Sequence, residues 1–237
     1  MSMTSAELAL PDTKVEVLPD SDAVAATAAE RIMASAAAAI DARGHFRICL
    51  AGGSTPTAAY RLLARRTDTL WAAWHVYHGD ERCLPARADG RNSRVADQVW
   101  LEHVPVPRAQ VHAIPAEAGA EAAAKVYEDV VRAALPFDLV LLGVGEDGHT
   151  ASLFPGHALA EDRLVMPVHE APKPPPDRVS LTPTALCNCR LMMVLATGAG
   201  KAEALGRWRD GEELPVAMVA RGAPSLVLLD RASLPGS

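Results

Sequence analysis

The sequence predicts an α/β protein whose sheet is mainly parallel and covered by helices on both faces. Short apolar runs alternate with helical segments along the chain. Several of these runs, residues 137–142 above all, are too uniformly apolar to present a wet face, as expected of buried parallel strands. Several also end in glycine-containing turns, where open α/β sheets place their ligands. With 237 residues, 49% hydrophobic and 22% charged, the chain is long and apolar enough to bury a substantial core.

Residues 1–14 read as a loose leader, and residues 15–237 as one domain with no internal repeat or linker. A strand is expected at 15–18. Ser21 is a plausible N-cap for an Ala-rich helix ending near Ala42, with Gly44 just past its end. A buried strand at 47–51 leads into Gly52-Gly53-Ser54-Thr55-Pro56 and a helix from Pro56, since proline suits the first helical turn. A strand at 74–77 ends in Gly79-Asp80-Glu81-Arg82. Asn92 is expected to cap a helix to about His103. A strand at 111–114, a helix at 117–134 and the strand at 137–142 follow. Further strands are expected at 164–168, 179–181, 191–196 and 226–229, and a helix at 201–208. Residues 172–176, rich in proline, read as a stiff exposed loop at the site.

The richest segment is Gly143 to Gly156, which presents Asp147 and His149 two residues apart after a buried strand. A histidine held by a carboxylate can serve as a general base near neutral pH. Gly52-Gly53-Ser54-Thr55 fits either a phosphate cradle, with glycines admitting a close approach and a helix N-terminus behind it, or a simple capped turn. Gly198-Ala199-Gly200-Lys201 has the same placement. It is not a nucleotide-triphosphate loop, because Leu195 and Ala202 stand where that pattern needs Gly and Ser or Thr. Lys201 opposes the positive end of a helix dipole, which suggests a nearby anion, though a solvated lysine fits equally. Arg82 could grip phosphate oxygens, or belong to an ordinary charged turn. Arg178 alone reads as a surface arginine. Gly143, Gly145 and Gly148 match a dinucleotide fingerprint formally, but Pro155-Gly156 cuts the helix such a fingerprint opens after about two turns.

A net charge of −6 argues against a nucleic-acid binder. Cys49, Cys83, Cys187 and Cys189 have no zinc spacing and read as reduced thiols of a cytoplasmic protein. His45, His75, His78, His103, His112, His157 and His169 form no metal pattern. No signal peptide is evident. No apolar run is expected to approach the roughly 18 residues needed to span a bilayer.

Six segments in one order, residues 51–56, 79–85, 92–93, 143–156, 178–182 and 198–201, together resemble the 6-phosphogluconolactonase family. That family shares a superfamily with glucosamine-6-phosphate deaminase and ribose-5-phosphate isomerase. The resemblance covers about residues 15–230. It implies a Rossmann-like, three-layer α/β/α fold and hydrolysis of 6-phospho-D-glucono-1,5-lactone to 6-phosphogluconate, the second step of the oxidative pentose phosphate pathway. It implies no metal or organic cofactor and a sugar-phosphate lactone as the small-molecule partner. The sequence does not give an oligomeric state, and a monomer is the default expectation. Carried over by position, His149 resembles the base that activates water and Asp147 the carboxylate that polarises it. Gly52, Gly53, Ser54, Thr55, Arg82, Arg178 and Lys201 match positions that hold substrate or its phosphate. Asp80 resembles the deaminase's proton-transferring carboxylate and is read here as structural or substrate-orienting. The deaminase motif carries a Glu five residues after its His, where this chain has Phe154, which favours the lactonase. A non-catalytic sugar-phosphate sensor is the remaining alternative, and such sensors usually carry a fused DNA-binding segment.

Overall fold

The computed structural model describes residues 10, 11, 13–160 and 162–236. Most of the expected leader, residues 1–9 and 12, lies outside them. Leu10 does not behave as loose leader, since it is buried against the core.

The first half of the chain forms β1 (Lys14–Leu18), α1 (Ser21–Arg43), β2 (Phe46–Leu50), α2 (Ser54–Leu63), β3 (Trp74–His78), β4 (Asp80–Arg82), α3 (Asn92–Ala96), β5 (Val111–His112) and α4 (Ala120–Ala134). The second half forms β6 (Leu139–Gly143), β7 (Val165–Val168), β8 (Arg178–Leu181), α5 (Pro183–Cys187), β9 (Met192–Ala196), α6 (Ala202–Arg209), α7 (Pro215–Arg221) and β10 (Ser225–Asp230). Seven strands pair in parallel in the order β1-β10-β9-β6-β2-β3-β5. From β2 the chain moves outward through β3 to β5, and from β6 it moves the other way through β9 to β10. The crevice between β2 and β6 is therefore the topological switch point, where such sheets bind ligands beyond the strands' carboxyl ends.

Alternate residues of the central strands feed two cores. Ile48, Leu50, Leu139, Leu141, Met193 and Leu195 pack beneath α1 and α2. Val140, Leu142, Met192 and Val194 pack beneath α4, α6 and α7. This is the expected three-layer architecture, with one addition. A second sheet, antiparallel in the order β4-β8-β7, shares the α4 face. The sequence showed β7 and β8 as strands but gave residues 79–82 as a turn, because a three-residue strand has no periodicity to read.

Other differences are local. Asp20, one residue before the expected cap, accepts the Ala23 N–H at 2.8 Å and starts α1. Arg91, rather than Asn92, occupies the cap of α3, which widens into a π-type turn at Asp97–Leu101. Gly119 separates a single turn at Ala116–Ala118 from α4. α5 and α7 were not foreseen, being shorter than two full periods. No helix follows Gly148; residues 150–153 form tight turns, with Ala151 at φ 49°. Contrary to expectation, α1 is long and apolar enough by composition to cross a membrane. Its buried stripe, Val24, Ala28, Ile32, Ala36 and Ala39, packs against the sheet as a core helix does.

Candidate active site

β2 delivers Gly52 and Gly53 to the switch point, and Gly53 turns the chain at φ 106° into α2. The first N–H groups of a helix have no partner within it and point outward, so Ser54 and Thr55 offer an anion both backbone donors and hydroxyls. Thr55 Oγ1 lies 2.7 Å from Thr197 Oγ1, joining this cradle to the end of β9. There Gly198 N–H donates to both oxygens of Asp230, at 3.0 and 3.1 Å, which anchors the turn bearing Lys201. Lys201 is half-buried; its N–H donates to the Gly198 carbonyl at 3.0 Å, and its side chain has no ion-pair or hydrogen-bond partner among the described residues.

β6 delivers the His149 loop. His149 Nδ1 lies 2.5 Å from Asp147 Oδ1, and the same oxygen accepts the His149 N–H at 3.1 Å. The carboxylate therefore holds the Nδ1 proton and leaves Nε2 as the acceptor. Burial works to raise the Asp147 carboxyl, but the His149 backbone N–H and ring outweigh it and hold it below its usual range. The glycines here make room rather than serve only a ligand. A Cβ on Gly145 would overlap the His149 ring and sit 2.6 Å from Asp147 Oδ1. Gly148, at φ 85°, would meet Leu214 Cδ1 at 2.7 Å. Thr150 Oγ1 donates to the Gly143 carbonyl at 2.8 Å and closes the loop onto its own strand. The ring of His149 rests against Phe154 at 4.8 Å between centroids.

β4 and β8 supply two cations that lie directly opposite each other, Arg82 and Arg178. Like charges opposed across a strand pair are unfavourable unless an anion compensates them. Arg82 Nη1 donates to the Gly90 carbonyl at 2.6 Å, while its Nε is buried without a hydrogen-bond partner among the described residues. Arg178, read from sequence as a surface residue unless part of a site, is buried. Its Nε donates to the Pro175 carbonyl at 3.2 Å, and its Nη2 to those of Lys173 and Pro174 at 2.8 and 3.4 Å. It thus ties down the proline-rich loop, and it lies 5.5 Å over the Phe154 ring. Burial, with Arg82 adding, lowers its guanidinium from the ordinary value against the opposing pull of Asp80.

Asp80 is buried, and its Oδ2 accepts the Ser152 hydroxyl at 2.7 Å. Burial raises its carboxyl, partly offset by that hydrogen bond. Sequence reasoning missed its neighbours. Glu81, read as part of a charged turn, is fully buried; it accepts the N–H groups of Arg82, Asn92 and Ser93 and lies 3.4 Å from Arg91 Nε. It also missed Lys173, which pairs with Glu146 at 3.4 Å, and Asp230. The lysine's setting in the proline-rich loop was the available signal; the buried acids left none.

Gly52, Gly53, Ser54, Thr55, Asp80, Arg82, His149, Arg178 and Lys201 all line one cavity of about 360 Å³, together with Asn92, Phe154 and Lys173. Asp147 stands behind His149 rather than in the lining. Among the described residues no group of acids, histidines or cysteines is arranged to hold a metal ion. The arrangement offers an oriented base and several cations around a space suited to a small phosphorylated molecule.

A 6-phosphogluconolactonase from Mycobacterium tuberculosis is 39% identical over 238 residues, covering 92% of this chain and 96% of that protein. The crystal structure of 6-phosphogluconolactonase from Thermotoga maritima superposes with a TM-score of 0.85 at 28% identity, covering 92% of this chain and 99% of the other. A glucosamine-6-phosphate deaminase superposes nearly as well, with a TM-score of 0.82 over 93% of this chain and 98% of its own, but at 22% identity it shows only the shared fold. The family described as glucosamine-6-phosphate isomerases/6-phosphogluconolactonase matches residues 19–228, and this chain belongs to it.

Proposed function

We propose that this chain hydrolyses 6-phospho-D-glucono-1,5-lactone to 6-phosphogluconate. The observation that carries the proposal is the His149–Asp147 pair at 2.5 Å in a cavity lined by cations. His149 Nε2 takes a proton from water as its oxygen attacks C1. The oxyanion that forms is stabilised by the surrounding donors and cations, and the C1–O ring bond then breaks as the imidazolium returns its proton to the leaving oxygen. Asp147 holds the ring's tautomer and stabilises its charge. Ser54, Thr55 and Lys201, at two strand ends joined through Thr55 and Thr197, hold the phosphate, while Arg82 and Arg178 draw the anion toward β4 and β8.

Phe154 supports this reaction over ring-opening deamination, because the position carries a buried aromatic ring instead of a second carboxylate. The proposed site residues, from Gly52 to Lys201, converge on one cavity, which supports residues 15–237 acting as one unit. A phosphorylated substrate and four free thiols support a cytoplasmic setting.

The test compares hydrolysis of 6-phosphogluconolactone with that of unphosphorylated gluconolactone, corrected for the spontaneous reaction, and monitors ammonia release from glucosamine 6-phosphate. We expect a strong preference for the phosphorylated lactone and no ammonia. His149→Ala should lower the rate by about 10²–10⁴-fold with the fold retained. A folded His149→Ala protein with wild-type turnover overturns the mechanism.

A further inference from the structure

Gly52 carries a constraint that a ligand does not explain. A Cβ there would overlap the side chain of Asn92, approaching its Cγ to 2.6 Å and its Nδ2 to 2.9 Å. The protein's own amide fills the space. Gly52 has an ordinary φ, so sterics rather than backbone conformation exclude a larger residue.

Asn92 is buried and reaches in the other direction as well. Its Nδ2 donates to the Asp80 carbonyl at 3.0 Å and to Asp80 Oδ1 at 2.9 Å. Only the amide nitrogen can face those two acceptors, which turns Oδ1 toward Gly52. The second oxygen of Asp80 accepts the hydroxyl of Ser152, three residues beyond His149. The position of Asn92 is itself fixed. Its backbone N–H donates to Glu81 Oε1 at 2.7 Å, and the next N–H, on Ser93, donates to Oε2 at 2.8 Å. Glu81 has no exposed surface, and Arg91 Nε lies 3.4 Å from it. One amide therefore touches the cradle turn on one side and, through Asp80 and Ser152, the loop carrying the base on the other. The turns follow paired strands, β2 and β6, and the Asn92 amide adds a side-chain link between them beyond the strand pairing.

We infer that Asn92 is a positioning residue, which sets the phosphate cradle at a fixed distance from His149 and makes glycine obligatory at position 52. The inference rests on the lactonase reading of the site. Asn92 makes its side-chain hydrogen bonds to Asp80 and not to His149, so it acts through the groups it holds. Its effect arises because a misplacement of about 1 Å between a bound substrate and a catalytic group can cost about 10²-fold in rate.

The test is a double-mutant cycle of Gly52→Ala and Asn92→Ala, with both lactones as substrates and with melting temperatures measured without ligand. Asn92→Ala should lower kcat on 6-phosphogluconolactone by about 10–10²-fold and change turnover of unphosphorylated gluconolactone much less, because that substrate has no phosphate to be kept in register. Gly52→Ala should be severe alone but cost less than about fivefold more in the Asn92→Ala background, where the clash is gone. The same coupling should appear in the melting temperatures. Equal losses on the two lactones, or losses that multiply independently, overturn the proposal. Wild-type protein that accelerates neither lactone overturns the lactonase reading instead. In that case the melting-temperature cycle still decides whether positions 52 and 92 are sterically coupled, and absence of coupling sinks the inference by itself.

Discussion

His149 and Asp147 meet because the turn between them is short and because Gly145 has no side chain to keep them apart. A tight loop bearing both residues needs no distant contact to form the pair, which is why the pair could be found in the sequence. The electrostatics of Asp147 yield a test of its charge. Its carboxyl is held below the usual range, against the effect of burial, by hydrogen bonds from His149. A carboxyl depressed in the folded state adds stability above its unfolded value, and that stability is lost as pH falls through the folded value. Wild-type protein should therefore melt above Asp147→Asn at neutral pH, and the gap should close as pH falls below about 4. Scanning calorimetry across that range checks this, and a gap that widens in acid contradicts it. Arg178 shows the opposite case for sequence reading. Nothing local says that its guanidinium binds three carbonyls of the preceding loop, and its burial arises from folding that loop back over it.

At the scale of elements, each parallel strand near the switch point ends in a turn that contributes to the cavity: β2 gives residues 52–55, β3 leads to 79–82, β6 gives 143–149 and β9 gives 198–201. The turns are glycine-rich where the chain must reverse sharply or let another group in, as at Gly53 and Gly145. The turn after β9 is fixed from below by Asp230 at the end of β10, so Lys201 can be removed without loosening its support. Lys201→Ala should lower kcat/KM on the phosphorylated lactone by about 10–10²-fold, the range of a charge-assisted hydrogen bond, with little effect on the unphosphorylated one. An equal loss on both would mean that Lys201 acts at the carbonyl. Among the unforeseen elements, β4 bears most on the site. Its three residues pair with β8, and this sets Arg82 against Arg178 in a register that only the folded chain defines.

On the scale of the whole molecule, the seven-stranded sheet separates two apolar cores, while the β4-β8-β7 sheet carries buried charge at its border with the cavity. Glu81 and Arg91 are both almost fully buried, with Arg91 also donating to the Ile114 carbonyl at 2.6 Å and to Glu117 at 2.5 Å. Removing one partner of a buried pair strands the other, which costs about 3–5 kcal/mol. Arg91→Ala should lower the free energy of unfolding by that amount in denaturant titration. A change below about 1 kcal/mol would show that the three N–H groups on Glu81 suffice to hold it.

The sequence by itself determined the alternation of apolar strands with helices, the parallel sheet and the glycine turns at strand ends, and with them His149, Asp147 and the residues 52–55 turn. These are short-range properties: apolar periodicity, capping and glycine placement act within a few residues and leave a local trace. Tertiary structure decided which turns meet. It placed β2 beside β6, paired β4 with β8, buried Glu81 beneath α3 and brought the Asn92 amide between Gly52 and Asp80. Each of those contacts joins segments far apart in the chain. A buried carboxylate or amide is satisfied there by partners that its neighbours in sequence do not reveal, so its role becomes legible only when the chain has closed around it.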